Sequence, residues 1–171
     1  MQPYLLLALL TSWLGDVLLI PSGKSWFVMG GLSFLLSHFF FIKVYLTHIS
    51  FTNMPWALIT IVAILYFGIS LKIMNSVKDN TPKAMIFPMF LYLIANSTMN
   101  IFGLMQLVSR QNIGALTAYI GALLFFISDC LLFLVRYHIN KNLIFKKHFM
   151  VMFTYLLGEF LITVGILIIR G

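Results

Sequence analysis

Six long apolar runs decide what this chain can fold into: Tyr4 to Ile20, Trp26 to Thr47, Pro55 to Asn75, Ala84 to Val108, Ile113 to Arg136 and Phe149 to Ile169. They are 17 to 25 residues long, and a helix needs about 20 apolar residues to cross the hydrocarbon core of a bilayer. In lipid every backbone N–H and C=O must be satisfied within the protein, which leaves helices or closed barrels. The runs are too long and too evenly apolar for the alternating strands of a barrel, about ten residues each. The expected fold class is therefore all-α, a polytopic transmembrane helix bundle of about six helices, forming a single integral membrane helical domain over residues 1–171. The connectors are Pro21 to Ser25, His48 to Met54, Ser76 to Lys83, Ser109 to Asn112 and Tyr137 to His148, none long enough to fold alone.

Composition agrees and removes other classes. Hydrophobic residues make up 61% and charged residues 9%, with a mean hydropathy of +1.03, where a soluble domain carries about a quarter charged. The net charge of +7 does not point to nucleic acid, because the basic residues are scattered at helix ends without an aromatic-interleaved basic patch. Cys130 is the single cysteine and lies inside an apolar run, which excludes an intramolecular disulfide and a cysteine-based metal site and leaves packing as its role. The first run has no charged start or small-residue cleavage site and contains an acid, so it is expected to be a permanent span.

The basic residues divide unevenly between the two ends of the spans. Lys24, Lys72, Lys78, Lys83, Arg136, Lys141, Lys146 and Lys147 fall on one side, against Lys43, Arg110 and Arg170 on the other. By the positive-inside rule the richer side is cytoplasmic and both termini lie outside, as expected for a multi-pass protein of a bacterial inner (cell) membrane.

Only four acids occur, and three of them, Asp16, Asp129 and Glu159, lie within spans. A charged group at mid-bilayer costs about 2.5 to 3.5 kcal/mol on insertion scales, so three retained acids imply partners, a wet cavity or a function. In the orientation above Asp16 lies about one turn from the cytoplasmic end of its helix, Asp129 about two turns, and Tyr155 a similar distance into the last helix. The expectation is that they share a cytoplasm-facing cavity. Ser12 and Asp16 share a helix face at i, i+4, and Gly114, Ala118, Ala122, Phe125 and Asp129 form a stripe whose small residues permit close helix approach. His38 is the one histidine deep in a span, either a member of the cavity or a satisfied interhelical hydrogen bond. One histidine does not supply the three or four convergent ligands of zinc, so no metal or other cofactor is expected. Asn96 and Asn100, at i, i+4, read either as packing glue or as polar site residues. No nucleophile elbow, phosphate loop or His-Glu-x-x-His pattern is present. A short echo, Leu14-Gly15-Asp16-Val17-Leu18-Leu19 against Ile127-Ser128-Asp129-Cys130-Leu131-Leu132, is the one hint of an internal repeat.

Four segments in order carry a resemblance. Ser12 to Leu19 (Ser-Trp-Leu-Gly-Asp-Val-Leu-Leu), Gly30 to His38 (Gly-Gly-Leu-Ser-Phe-Leu-Leu-Ser-His), Gly121 to Asp129 (Gly-Ala-Leu-Leu-Phe-Phe-Ile-Ser-Asp) and Tyr155 to Glu159 (Tyr-Leu-Leu-Gly-Glu) together resemble the YhhN-like family that includes the lysoplasmalogenases. The resemblance implies hydrolysis of the vinyl ether bond of lysoplasmalogens to a fatty aldehyde and a glycerophospho-base. It implies Asp16 and Asp129 as the catalytic pair; Ser12, His38, Ser128, Tyr155 and Glu159 are the candidate substrate-binding or supporting residues beside them. It further implies a family-like eight helices, two of them ahead of the Gly-Asp helix at which this chain begins. Glu159 departs from the pattern, which tends to have Gln there.

Two carboxyls without a metal suit this bond. Hydrolysis begins with a proton delivered to the outer alkene carbon, giving an oxocarbenium ion that water captures, as one acid and one carboxylate do for glycosides. The partners implied are a lysophospholipid substrate, entering sideways with its phosphate near Arg136 or Lys147, and the bilayer itself. The same acids and histidine also fit a proton-coupled small-molecule or lipid transporter. A non-catalytic lipid-binding protein is a further alternative.

Overall fold

The computed structural model describes residues 3–52, 54–139 and 146–170. Of the described residues 88% are helical. In order the helices are α1 (Pro3–Leu19), α2 (Lys24–Leu46), α3 (Trp56–Val77), α4 (Lys83–Arg110), α5 (Ile113–Tyr137) and α6 (Lys147–Arg170), with a 3₁₀ turn over Lys78–Asn80. Five of them, α2 to α6, are long and apolar enough to cross a membrane, while α1 is shorter at 17 residues. The bounds match the apolar runs to within two residues, because lipid offers the backbone no hydrogen-bond partner and helix therefore extends wherever the run does. Of the basic residues counted for orientation, Lys141 lies outside the described residues.

The surface confirms a membrane protein. Phe87, Ile64 and Phe160 are 72%, 65% and 63% exposed, and such side chains recur along every span. Continuous apolar exposure on this scale is a surface for lipid, not water.

Short connections make neighbouring helices antiparallel. Gln111 takes the left-handed conformation (φ 47°) that ends α4, and the Asn112 side chain accepts from the Ala115 N–H at 2.9 Å to start α5. Gly23 (φ 145°) precedes α2. The alternation is visible in contacts at each end. At one, Phe27 meets Tyr137 edge-on at 6.3 Å and the Tyr137 hydroxyl donates to the Met85 sulfur at 3.6 Å. At the other, Arg110 Nε donates to the His48 carbonyl at 3.1 Å, and Ser109 Oγ donates to the Ser50 carbonyl at 3.1 Å. The ends of α1, α3 and α5 and the starts of α2, α4 and α6 thus share the side rich in lysine.

Packing is closest within the pairs α1/α2 and α5/α6, while α4 is wedged among α2, α3 and α5. A Cβ on Gly121 would stand 2.6 Å from the Gly158 carbonyl oxygen, and one on Gly158 would stand 2.8 Å from that of Gly121. Only two glycines allow α5 and α6 this approach. The small-residue seam includes Gly114, Ala118 and Gly121 facing Gly158 and Gly165, and Ala122 of the expected stripe is fully buried.

The interior is aromatic. Phe41, Tyr45 and Phe125 are fully buried, and the rings meet mostly edge to face.

Candidate functional site

Asp129 sits four turns into α5, where Phe125 one turn earlier and Phe133 one turn later bury it to 6% exposure. A carboxyl in that position needs donors, and α4 supplies them. Asn96 Nδ2 donates to Asp129 Oδ2. Asn100, one turn further along the same face, donates its Nδ2 to the Asn96 carbonyl at 3.1 Å and to Asn96 Oδ1 at 3.0 Å. Accepting at Oδ1 orients the Asn96 amide so that its N–H faces the carboxylate. Tyr66 on α3 donates to Asn100 Oδ1 at 3.2 Å and lies 3.3 Å from the Tyr119 hydroxyl on α5. A hydrogen-bonded chain therefore leads from Asp129 through Asn96, Asn100 and Tyr66 to Tyr119, spanning about ten residues of α5 or roughly 15 Å.

His38 completes the Asp129 environment from α2. Its Nε2 lies 3.6 Å from Asp129 Oδ2, and the ring is fully buried, edge-on to Tyr92 at 5.0 Å and to Phe125 at 5.2 Å. Neither ring nitrogen has a hydrogen-bond partner among the described residues. The Tyr92 hydroxyl faces Asp129 from α4. Tyr92, Asn96 and Asn100 thus repeat at i, i+4, i+8, one stripe of α4 turned toward the carboxyl.

Asp16 occupies a second cluster, between α1 and α6. The Tyr155 hydroxyl donates to its Oδ2 at 2.8 Å. Ser12, one turn earlier on α1, and Glu159, one turn later on α6, face each other beside this pair. Ser12 Oγ and Glu159 Oε1 are buried and make no hydrogen bond among the described residues. The i, i+4 face read from Ser12 and Asp16 is therefore present and meets α6.

The two aspartates do not open into one polar cavity. Phe34, Phe125 and Tyr155 stand between them, edge to face at 5.4 to 6.4 Å. Large rings at these positions fill the space that sequence spacing left open for a shared cavity. What adjoins both clusters is an apolar cleft of about 210 Å³ between α2 and α4, with Phe34 and Tyr92 among its walls.

The expected site residues thus fall into two groups, with one exception. Asp16, Ser12, Tyr155 and Glu159 assemble on one side, and Asp129 and His38 on the other. Ser128 turns away and donates to the Val151 carbonyl of α6 at 2.8 Å, where it ties α5 to α6. Tyr92 and Tyr66 join the site in addition to the expected residues, since an aromatic in an apolar run is ordinarily a packing residue. The i, i+4, i+8 spacing of Tyr92 with the two asparagines is the signal that singles out Tyr92. Among the described residues no three of His, Cys, Asp and Glu converge as metal ligands.

No curated protein and no solved structure matches this chain. A family model does match, that of the YhhN family, over residues 1–166, and it spans both aspartate clusters and the cleft between them. The chain belongs to the YhhN family.

Proposed function

We propose that this protein hydrolyses the vinyl ether bond of lysoplasmalogens, releasing a fatty aldehyde and a glycerophospho-base, with Asp16 and Asp129 as the acid–base pair. The observation that carries the reading is the placement of both aspartates: each is held by side-chain donors from another helix, and both clusters back onto one apolar cleft. Membership of the YhhN family is consistent with it.

The surroundings of the two carboxyls divide the roles. Asp129 is met by the Asn96 amide, the Tyr92 hydroxyl and the His38 ring. A carboxyl so oriented is placed to stabilise a cation and to activate water. Asp16 has the single donor Tyr155 and takes the part of general acid. Its proton goes to the outer alkene carbon, and the electron pair of the double bond forms the new C–H bond. The ether oxygen then shares the positive charge as an oxocarbenium ion. Asp129 takes a proton from the water that adds to the cationic carbon. In the collapse of the hemiacetal Asp16 takes back a proton from the hemiacetal hydroxyl and Asp129 gives its proton to the glycerol oxygen as the C–O bond breaks, giving the aldehyde and a free hydroxyl and restoring both carboxyls.

The rival reading is proton-coupled transport, and the chain from Asp129 to Tyr119 is the observation that favours it. Two of its links, Asn96 and Asn100, are carboxamides, which orient their neighbours but do not readily release and recapture a proton. Hydrolysis is therefore the better supported reading.

The deciding experiment incubates purified protein in detergent, with no gradient, with lysoplasmalogen and with its ester analogue in heavy water. Fatty aldehyde carrying one deuterium next to the carbonyl, recovered by immediate reduction and mass spectrometry, is the expected product. Unlabelled aldehyde excludes protonation at carbon, and fatty acid from the ester analogue alone marks an esterase. No turnover of either lipid removes the hydrolase reading.

A further inference from the structure

The cleft beside the two aspartates is walled by apolar side chains such as Phe34, Leu91 and Phe133, so it is no route for water to Asp129. A different lining leads there. Toward the Arg110 end of the bundle the buried side of α4 carries Asn96, Asn100 and Gln106, and Tyr45, Tyr66 and Tyr119 are set against it from α2, α3 and α5. From Asn96 to Gln106 is ten residues, or about 15 Å of helix, and Arg110 ends α4 one turn later. Gln106 is fully buried, and neither its amide oxygen nor its nitrogen has a hydrogen-bond partner among the described residues. A buried amide without protein partners is normally satisfied by ordered water, since leaving it dry forfeits its hydrogen bonds. Between Gln106 and Asn100 lies Gly103, where a Cβ would meet the Tyr119 and Tyr45 rings at 3.5 to 3.7 Å. The glycine thus leaves room for one methyl group, which a water molecule also fits. Tyr45 has a hydroxyl to offer there, because its contact with the Ala118 carbonyl, at 3.5 Å, is too long for a strong hydrogen bond.

We propose that Gln106, Gly103 and the three tyrosines line a buried water path that runs from the Arg110 end of the bundle to Asp129. Polar side chains retained within spans face protein partners or water, and Gln106 has no protein partner. Carboxamides and phenols both donate and accept, so a water molecule finds a partner at each turn of α4. The same carboxamides do not readily release a proton, which suits the column to passing water rather than charge. At its inner end Asn96 hands the path to the Asp129 carboxyl. At its outer end an open groove begins at Leu107, the residue after Gln106, and carries the polar side chains of Gln111 and Asn112. That this water is the one Asp129 activates rests on the hydrolase reading; the path itself does not.

X-ray radiolysis of the protein in nanodiscs, in heavy-oxygen water, tests the path, because a hydroxyl radical formed from a bound water marks the side chain beside it. Labelled residues are located by mass spectrometry. Tyr45 and Tyr66 are expected to take up label well above Phe41 and Phe34, which are as deeply buried but lie outside the column. Gly103→Ala fills the room between the Tyr45 and Tyr119 rings at ordinary contact distance. It should therefore abolish the Tyr45 label while the melting temperature stays at the wild-type value. Gln106→Met keeps the length of the side chain without its polar atoms and should lower the label as well. Label on the two tyrosines no higher than on the two phenylalanines overturns the proposal on the wild-type protein alone. Label that both variants leave unchanged overturns it too. In an active protein Gly103→Ala should lower kcat with KM unchanged, and full turnover with the label lost overturns the column as the supply of reacting water. Radiolysis requires no turnover, so an inactive protein labelled in the column removes the hydrolase reading and keeps the path. An active protein without that label does the reverse.

Discussion

The Tyr155 hydroxyl donates to the Asp16 carboxylate across 2.8 Å and is the one direct side-chain hydrogen bond joining α6 to α1 among the described residues. Its ring is held independently, edge-on to Phe34 at 5.6 Å and to Phe125 at 5.4 Å. Tyr155→Phe should therefore keep the ring in place and lose only the donor. Stability is expected to fall by about 1 kcal/mol, whereas kcat falls about tenfold or more because Asp16 loses its orientation. Steady-state kinetics beside a denaturant titration in detergent separate the two, and an unchanged kcat would detach Asp16 from the reaction.

Asp16→Asn and Asp129→Asn should each lower turnover by about 10²- to 10⁴-fold, the usual range for removing a general acid or base, while the protein still inserts. Glu159→Gln should retain most of its activity, since Glu159 Oε1 makes no hydrogen bond among the described residues. Assays on equal amounts of folded protein give the answer. Full activity in either aspartate variant rejects the pair, and an inactive Glu159→Gln brings Glu159 into the site.

Asn96 donates to Asp129 and accepts from Asn100, so removing it unties the stripe on α4. A double-mutant cycle of Asn96→Ala with Asp129→Asn should give a coupling energy of about 0.6 to 1.7 kcal/mol, the range measured for hydrogen bonds between membrane helices. A coupling indistinguishable from zero in detergent unfolding would mean that the contact contributes nothing.

Gly121 and Gly158 set the spacing of α5 and α6. Gly121→Leu should separate the helices and destabilise the protein by about 1 to 3 kcal/mol. Because α6 carries Tyr155, activity should fall more than stability alone explains. Protease resistance and turnover measured on the same samples test this, and wild-type values for both would show that the seam tolerates bulk.

The charge asymmetry predicts that the end bearing Lys24, Lys78 and Arg136 faces the cytoplasm. Cys130 is buried, so a thiol introduced as Lys78→Cys is expected to react with an impermeant reagent from the cytoplasmic side only. Reaction from the outside would invert the orientation and place the Arg136 end of the bundle in the outer leaflet.

Where the sequence spoke clearly, one physical constraint acted alone. A bilayer offers the backbone no partner, so the apolar runs had to be helices, and all six appear with bounds shifted by no more than two residues. The cost of burying charge singled out Asp16, Asp129 and Glu159 in the same way, and each lies buried or half-buried against polar groups of another helix. The i, i+4 rule placed Ser12 beside Asp16 because it describes neighbours on a single helix.

Which helix each polar face meets was decided only by tertiary packing. Sequence depth put Asp16, Asp129 and Tyr155 at similar levels, but level says nothing about azimuth. The fold turns Asp16 toward Tyr155 on α6 and Asp129 toward Asn96 on α4, with Phe34 and Phe125 between them. Ser128, adjacent to Asp129 in sequence, points about 100° away around the helix and bonds to α6 instead. Tyr92 and the cleft beside it were illegible for the same reason, since an aromatic in an apolar run reads identically whether it faces lipid or a carboxyl. Helix formation depends on residues a few positions apart and can be read along the chain. The site depends on how helices rotate and approach, which side-chain volumes and the Gly121–Gly158 contact settle only once all of them are packed.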